Sequence, residues 1–196
     1  MADVLLSAFY FGTVEHYALI AKSTLVTIDT GEHYERQSYR TRTGIIGPNG
    51  KQDLIVTIDR RSGEKMPMHT VELSYTEPWN ARHVQAIRSA YGQTPWFIHY
   101  IDEIETVLLK KYDRLMDLDL ATMRLAMRWL GLKTEVVVSP TYVEEFASSE
   151  GVLLEDHRTD FNPKRSLPKA IPEIGPYTQV FADRHGFTGR MSIIDL

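Results

Sequence analysis

Arg40 and Arg42, in the run Ser38-Tyr39-Arg40-Thr41-Arg42, have the side chains and spacing to grip an anion. On a β-strand alternate side chains share a face, which puts two such guanidinium groups about 6.5–7 Å apart. Like charges that close are unfavourable unless something negative lies beside them, and the planar guanidinium fork suits carboxylate and phosphate. The alternative is internal pairing, with Glu32, Glu35 or Asp53 as partners.

His83 is the candidate general base. It shares a helical stripe with Trp79, Ile87 and Tyr91, where an imidazole serves either in proton transfer or as a hydrogen-bonded core residue. His16 and His99 rank below it. Asp156-His157-Arg158 and Asn162-Pro163-Lys164-Arg165 mix acid, imidazole and base. They read either as ordinary loop polarity or as a lid that lowers Arg158 and Lys164 onto a bound anion. No His-Glu-x-x-His or comparable metal-ligand spacing occurs, and 44–50 is a hairpin tip with no following helix, unlike a phosphate-binding loop. Neither metal nor cofactor is therefore expected.

The rest of the composition narrows the field. With 196 residues the chain suits one domain, 1–196, and at this length roughly 70% of the unfolded surface is buried without a staple. There is no cysteine, which excludes disulfides and thiolate chemistry and fits a reducing compartment. A net charge of −4 argues against nucleic acid as a partner. No apolar run reaches the roughly 20 residues of a membrane span, and 4–11 lacks the basic flank of a signal peptide. The expectation is a soluble cytoplasmic protein whose partner is a small anionic or phosphorylated metabolite, with a homodimer left open.

The elements that must position these residues give an α/β fold with a mixed sheet. The apolar run 4–11 predicts a buried strand, Thr13 caps a helix over 14–23, and 24–29 predicts a second, parallel strand. Residues 37–46 and 52–59 flank Gly47-Pro48-Asn49-Gly50, an Asn-Gly hairpin turn. Alternation over 69–75 predicts another strand. Helices are expected from Pro78 to Gly92, over 95–112 with Phe97, Tyr100 and Ile101 inward, and over 120–130 with Asp119 as its cap. A strand over 133–139 follows. Residues 147–175, rich in proline, form a lid or irregular loop, and a short closing helix spans 177–185.

In this order and spacing the segments resemble the WbqC-like protein family, in a Bacteroidetes-type form. The resemblance rests on Gln37-Ser38-Tyr39-Arg40-Thr41-Arg42 with Pro48-Asn49-Gly50, then Trp79 with His83, Ser89-Ala90-Tyr91 with Thr94-Pro95, and Phe97-Ile98-His99-Tyr100. It continues in Asp156-His157-Arg158 with Pro163-Lys164, and ends on Pro176-Tyr177-Thr178-Gln179 and Ser192-Ile193-Ile194-Asp195-Leu196. The opening Ser7-Ala8-Phe9-Tyr10-Phe11 departs from the His-Gln-Pro-like start of longer relatives. The resemblance implies a bacterial role near O-antigen or polysaccharide biosynthesis, where a glycine (aminoacyl-type) transferase activity has been suggested for one member.

Joined to the residues, that implies a group-transfer enzyme for a sugar or aminoacyl donor. Arg40 and Arg42 would hold the anionic group, His83 would act as base, and Tyr39, Asn49, Tyr91, Arg158 and Lys164 would orient the substrate. A non-catalytic module binding an anionic metabolite is the second reading. A nucleotidylyl transferase is the third, weakened because Glu15-His16-Tyr17 supplies one histidine where that signature has two.

Overall fold

A computed structural model describes residues 2–59, 65–144 and 154–196. Its centre is a sheet of four parallel strands. The first strand, β1 (Asp3–Leu6), is followed by helix α1 (Val14–Lys22) and strand β2 (Leu25–Asp29), which pairs parallel with β1. Thr13 caps α1, its hydroxyl accepting from the His16 N–H, and Glu15 sits in the first turn where the helix dipole favours an acid. The hairpin β3 (Arg42–Gly47) and β4 (Gly50–Ile55) follows, then the short antiparallel pair β5 (Ile58–Asp59) and β6 (Glu72–Leu73). Helices α2 (Trp79–Tyr91), α3 (Phe97–Leu109) and α4 (Leu115–Trp129) precede β7 (Glu135–Ser139) and β8 (Leu154–Asp156), and α5 (Ala182–His185) comes last.

The strand order in the main sheet is β7-β2-β1-β8. The chain winds outward from β1 through β2 to β7, then returns to the opposite side of β1 to add β8. The winding direction thus reverses between β1 and β8. In open parallel sheets such a reversal leaves a crevice beyond the carboxyl ends of the strands, where ligands bind. Here the carboxyl ends are Leu6, Asp29, Ser139 and Asp156.

The mixed α/β architecture, the parallel strand–helix–strand opening and the Asn-Gly hairpin are as the sequence predicts. Gly50 takes the left-handed conformation the turn needs (φ 99°). Trp79, His83, Ile87 and Tyr91 all face the core from α2.

Several boundaries differ. The apolar run 4–11 leaves the sheet after Leu6, and 7–13 turns over its end with Phe11 at φ 42°. Its aromatic residues are buried by helices and by the C-terminal segment, so the continuous apolar run reflected more than sheet. Residues 37–41 are a turn rather than strand: Gln37 has φ 55°, and the Ser38 hydroxyl donates to the Glu35 carbonyl at 2.7 Å. Only Arg42 lies on β3, so Arg40 and Arg42 do not share a strand face. The predicted strand over 52–59 is divided between β4 and β5, and 69–75 folds as a 3-10 turn (Met68–Thr70) plus β6, with His69 exposed.

Asp119 does not cap α4. The helix begins a turn earlier, at Leu115, and holds Asp119 fully buried in its interior. Helix α3 is shorter than 95–112, and Tyr100 is 40% exposed rather than inward. The closing helix is only Ala182–His185, ended by Gly186 at φ 68°. Residues 147–153 of the predicted lid lie outside the described residues. The part that follows supplies β8 and then packs Phe161, Asn162 and Ile171 into the core.

The C-terminal segment closes the β1–α1 turn. Ile193 N–H donates to the Gly12 carbonyl at 2.9 Å, and Val14 N–H donates to the Met191 carbonyl at 3.2 Å. That segment is held in turn by Asp195, whose carboxylate accepts from Tyr91 Oη at 2.7 Å, Gln179 Nε2 at 2.6 Å and Tyr177 Oη at 3.1 Å. Tyr91 Oη also accepts from the Ile46 N–H at 3.3 Å. Tyr91→Phe would leave that buried N–H unpaired and weaken the clasp, so a loss of about 1–3 kcal/mol is expected from urea unfolding.

Candidate functional site

The carboxyl ends of β1, β2 and β8 carry a buried polar cluster of Ser7, Asp29, Glu32, Arg40, Asp156 and Arg158. Arg40 grips Glu32 with two donors, Nε to Oε1 at 3.0 Å and Nη2 to Oε2 at 2.7 Å. Nη2 also donates to Ser7 Oγ at 2.6 Å, and the Ser7 hydroxyl donates to Glu32 Oε2 at 2.9 Å. Arg40 and Glu32 are both almost wholly buried, with side chains 3% and 6% exposed. The geometry is the paired, doubly bonded arrangement a charge needs to survive burial. Glu35 lies 3.6 Å from Arg40 Nη1 on the solvent side.

Arg158 makes the second half of the cluster. Its Nε and Nη2 bond the Asp156 carboxylate at 3.0 and 2.6 Å, and its Nη1 donates to Asp29 and to the Val143 carbonyl. Asp29 accepts from four groups: the backbone N–H of Gly31, Glu32 and Val143, and Arg158. The Tyr142 ring stacks under the Arg158 guanidinium at 4.8 Å. Since β2 ends at Asp29 and β8 at Asp156, the parallel register itself brings these carboxylates to one edge. Arg158 O, 3.3 Å from Ser7 Oγ, ties this group to Arg40.

The turn 7–13 gathers the other candidates. Phe9 lies beneath the Arg40 guanidinium, 5.6 Å from its ring centre. Tyr10 N–H donates to the Tyr39 carbonyl, and Tyr10 Oη lies 2.9 Å from His83 Nδ1. Burial lowers the His83 pKa to about 4, which leaves its imidazole neutral near pH 7. His83 is thus at once a buried, hydrogen-bonded residue and one step from the turn through Tyr10.

The sequence-predicted residues therefore fall into two sets. Arg40 and Arg158 join the cluster directly, and Tyr39 and His83 are tied to the neighbouring turn 7–13 through Tyr10. Lys164 bonds Gln37 through its ammonium and the Asn162 carboxamide through its backbone, and Asn162 donates to Glu35 at 3.1 Å. Arg42 instead faces Asp53 at 3.5 Å across the hairpin, Asn49 is exposed at its tip, and Tyr91 is committed to Asp195. The pairing of the arginines with Glu32, Glu35 and Asp53, weighed above as the alternative, is the arrangement that forms.

From sequence Asp29 carries no role beyond ending a strand, Ser7 enters only with the opening 7–11, Asp119 only as a helix cap, and Asp156 only as the acid of the 156–158 motif. Asp29 and Asp156 carry one signal: each is the polar residue that ends an apolar or parallel strand, where α/β sheets keep their ligands. Among the described residues, no group of three or more His, Asp or Glu is placed to hold a metal ion.

The chain was also compared with known proteins. The WbqC-like protein family model matches residues 8–165. The chain belongs to the WbqC-like family. The match spans 8–13 of the turn, the hairpin, the three long helices and β8, so every residue of the cluster except Ser7 falls inside it. Neither a search of curated proteins nor one of solved structures returned a match.

A groove of about 680 Å³ opens elsewhere in this WbqC-like protein, between Glu15, Leu19 and Lys22 of α1 and the segment 167–174. It holds none of the candidate residues. The carboxyl-end cluster is the better candidate, because fixed charges and a hydroxyl converge there at a winding reversal.

Proposed function

We propose that this WbqC-like protein is a group-transfer enzyme of bacterial polysaccharide (O-antigen type) assembly, acting on an aminoacyl or sugar donor bound at the carboxyl ends of β1 and β8. One observation carries the reading: Ser7, Glu32, Arg40, Asp156 and Arg158 converge at the reversal of strand order. Membership of the family adds the biosynthetic setting that the resemblance implies. Arg40 and Arg158 give the site fixed positive charge, held rigid by carboxylates, which is the preorganisation that charge-developing transfers require. His83, neutral above about pH 4, is the proposed base, with Tyr10 between it and the turn. Lys164 and Tyr39 are assigned to orienting the substrate, and Arg42 and Asn49 to its outer part.

A specific observation favours the second reading, a non-catalytic module for an anionic metabolite: both buried arginines already hold carboxylates. One experiment separates the two. The protein is incubated with nucleotide-sugars and with glycyl-type donors, then followed by thermal shift and by product mass spectrometry. A donor at a hundred times its Kd raises stability by about 2.7 kcal/mol, and Arg158→Lys and Arg42→Ala are expected to diminish that gain. Product formation supports transfer. Retained ligand without product supports the binding module, and unchanged melting with every donor sinks both.

A further inference from the structure

Three buried side chains around the turn 7–13 have no hydrogen-bond partner on any of their polar atoms among the described residues: both ring nitrogens of His16, the Tyr17 hydroxyl and both carboxylate oxygens of Asp119 are left open. None is more than 2% exposed. Buried polar atoms are nearly always satisfied in folded proteins, and an orphan is costly to keep. Five such atoms beside one stretch of backbone therefore call for an occupant.

They do border one stretch. The His16 ring lies over Phe9 at 4.7 Å, against Tyr17 at 5.4 Å and against Phe161 at 5.2 Å. A side-chain carbon at Gly12 would come within 2.7 Å of His16 Nδ1, so glycine there is what leaves the ring nitrogen uncovered. On the other side, α4 is bonded to the same turn: Thr122 Oγ1 accepts from the Phe11 N–H at 3.2 Å and is 3.4 Å from the Phe9 carbonyl. Asp119 sits just under one helical turn before Thr122, close enough to Tyr10 and Tyr17 that its ionised form would push both phenol pKa values up.

The chemistry of the occupant follows from what is missing. An anion would need a cation, and the nearby Arg40 is already paired, by Nε and Nη2 with Glu32 and by Nη1 with Glu35 at 3.6 Å. A cation would need an ionised Asp119, yet no Lys or Arg pairs with that carboxyl among the described residues, and an unpaired buried carboxylate takes up a proton instead. A carboxylic acid, an imidazole and a phenol can each donate and accept.

We propose that Asp119, His16 and Tyr17 form an interior subsite for a small uncharged group that both donates and accepts hydrogen bonds, of the amide class. It deepens the transfer reading, since it places the amide-type end of an aminoacyl or amido-sugar substrate behind the turn whose front carries Ser7 and Arg40.

Acetamide is the probe, with acetate and methylammonium as charged probes of similar size. Acetamide is expected to shift the His16 side-chain NMR resonances saturably and the infrared carbonyl band of the neutral Asp119 acid, identified by its loss in Asp119→Asn. The charged probes should bind at least about tenfold more weakly. Asp119→Asn keeps size and hydrogen bonding and should retain the acetamide response, whereas Asp119→Leu and His16→Phe should lose it with native circular dichroism. Equal response to acetate, a response confined to surface residues, an unaltered response in Asp119→Leu, or none in wild type overturns the subsite. If the donors of the preceding experiment still bind when acetamide fails, only this inference falls.

Discussion

Glu32→Ala is expected to destabilise the protein by about 3–5 kcal/mol, enough to consume much of a domain's net stability. The reason lies in Arg40. Its Nε and Nη2 are spent on the two Glu32 oxygens, and its side chain is 3% exposed. Removing the carboxylate leaves a guanidinium inside the protein with Ser7 and the Arg158 carbonyl as its remaining short contacts. The check is the urea midpoint, read beside the double variant Glu32→Leu/Arg40→Met. If burial of an unpaired charge is the cause, the double variant should recover most of the loss, since apolar replacement of a whole buried pair is often neutral. A loss below about 1 kcal/mol in Glu32→Ala would mean that Arg40 swings to Glu35, now 3.6 Å from its Nη1.

Stability is also expected to depend on pH through the buried histidines. Burial lowers the His16 pKa from 6.5 to about 3 and the His83 pKa to about 4. In each case the unfolded chain binds a proton at a pH where the folded chain does not. Stability from these groups is therefore present above about pH 6.5 and is lost as pH falls towards 3 for His16 and 4 for His83. Each such proton is worth about 1.4 kcal/mol per pH unit. Relative to His16→Phe, the wild type should lose roughly 3 kcal/mol between pH 6.5 and 4, read from urea unfolding at a series of pH values.

Asp119 works with the opposite sign. Burial raises its pKa well above the ordinary carboxylate range, the Glu32 charge raising it further and Arg40 opposing. The folded chain then holds a proton the unfolded chain releases, so this contribution is present below about pH 4 and is lost as pH rises. Asp119→Asn needs no proton and should gain on the wild type above that pH. Parallel pH curves for wild type and His16→Phe would show that His16 is hydrated rather than sealed.

Local pattern was enough for much of this chain. The Thr13 cap, the Asn-Gly hairpin, the apolar stripe of α2 and the parallel opening depend on neighbours within a few residues, and their physics is written in those neighbours. Arg40 and Arg158 stood out because two charges at short spacing, or a charge beside an imidazole, are unusual enough to question. The same local view misplaced Arg40, because a φ of 55° at Gln37 ends the extended chain where residue types alone continue it.

Tertiary structure decided what those arginines meet. Glu32 and Arg40 are eight residues apart, but Asp29 and Arg158 are separated by 129, and they touch only because β8 returns to the far side of β1. Asp119 looked like a helix cap by its spacing and became a buried acid because α4 starts earlier and lies against the turn 7–13. By itself the sequence determined which elements form and which side chains carry charge. Which charges are cancelled, and which polar atoms are left without partners, depended on the order in which distant strands pack, because burial and pairing are properties of the assembled sheet.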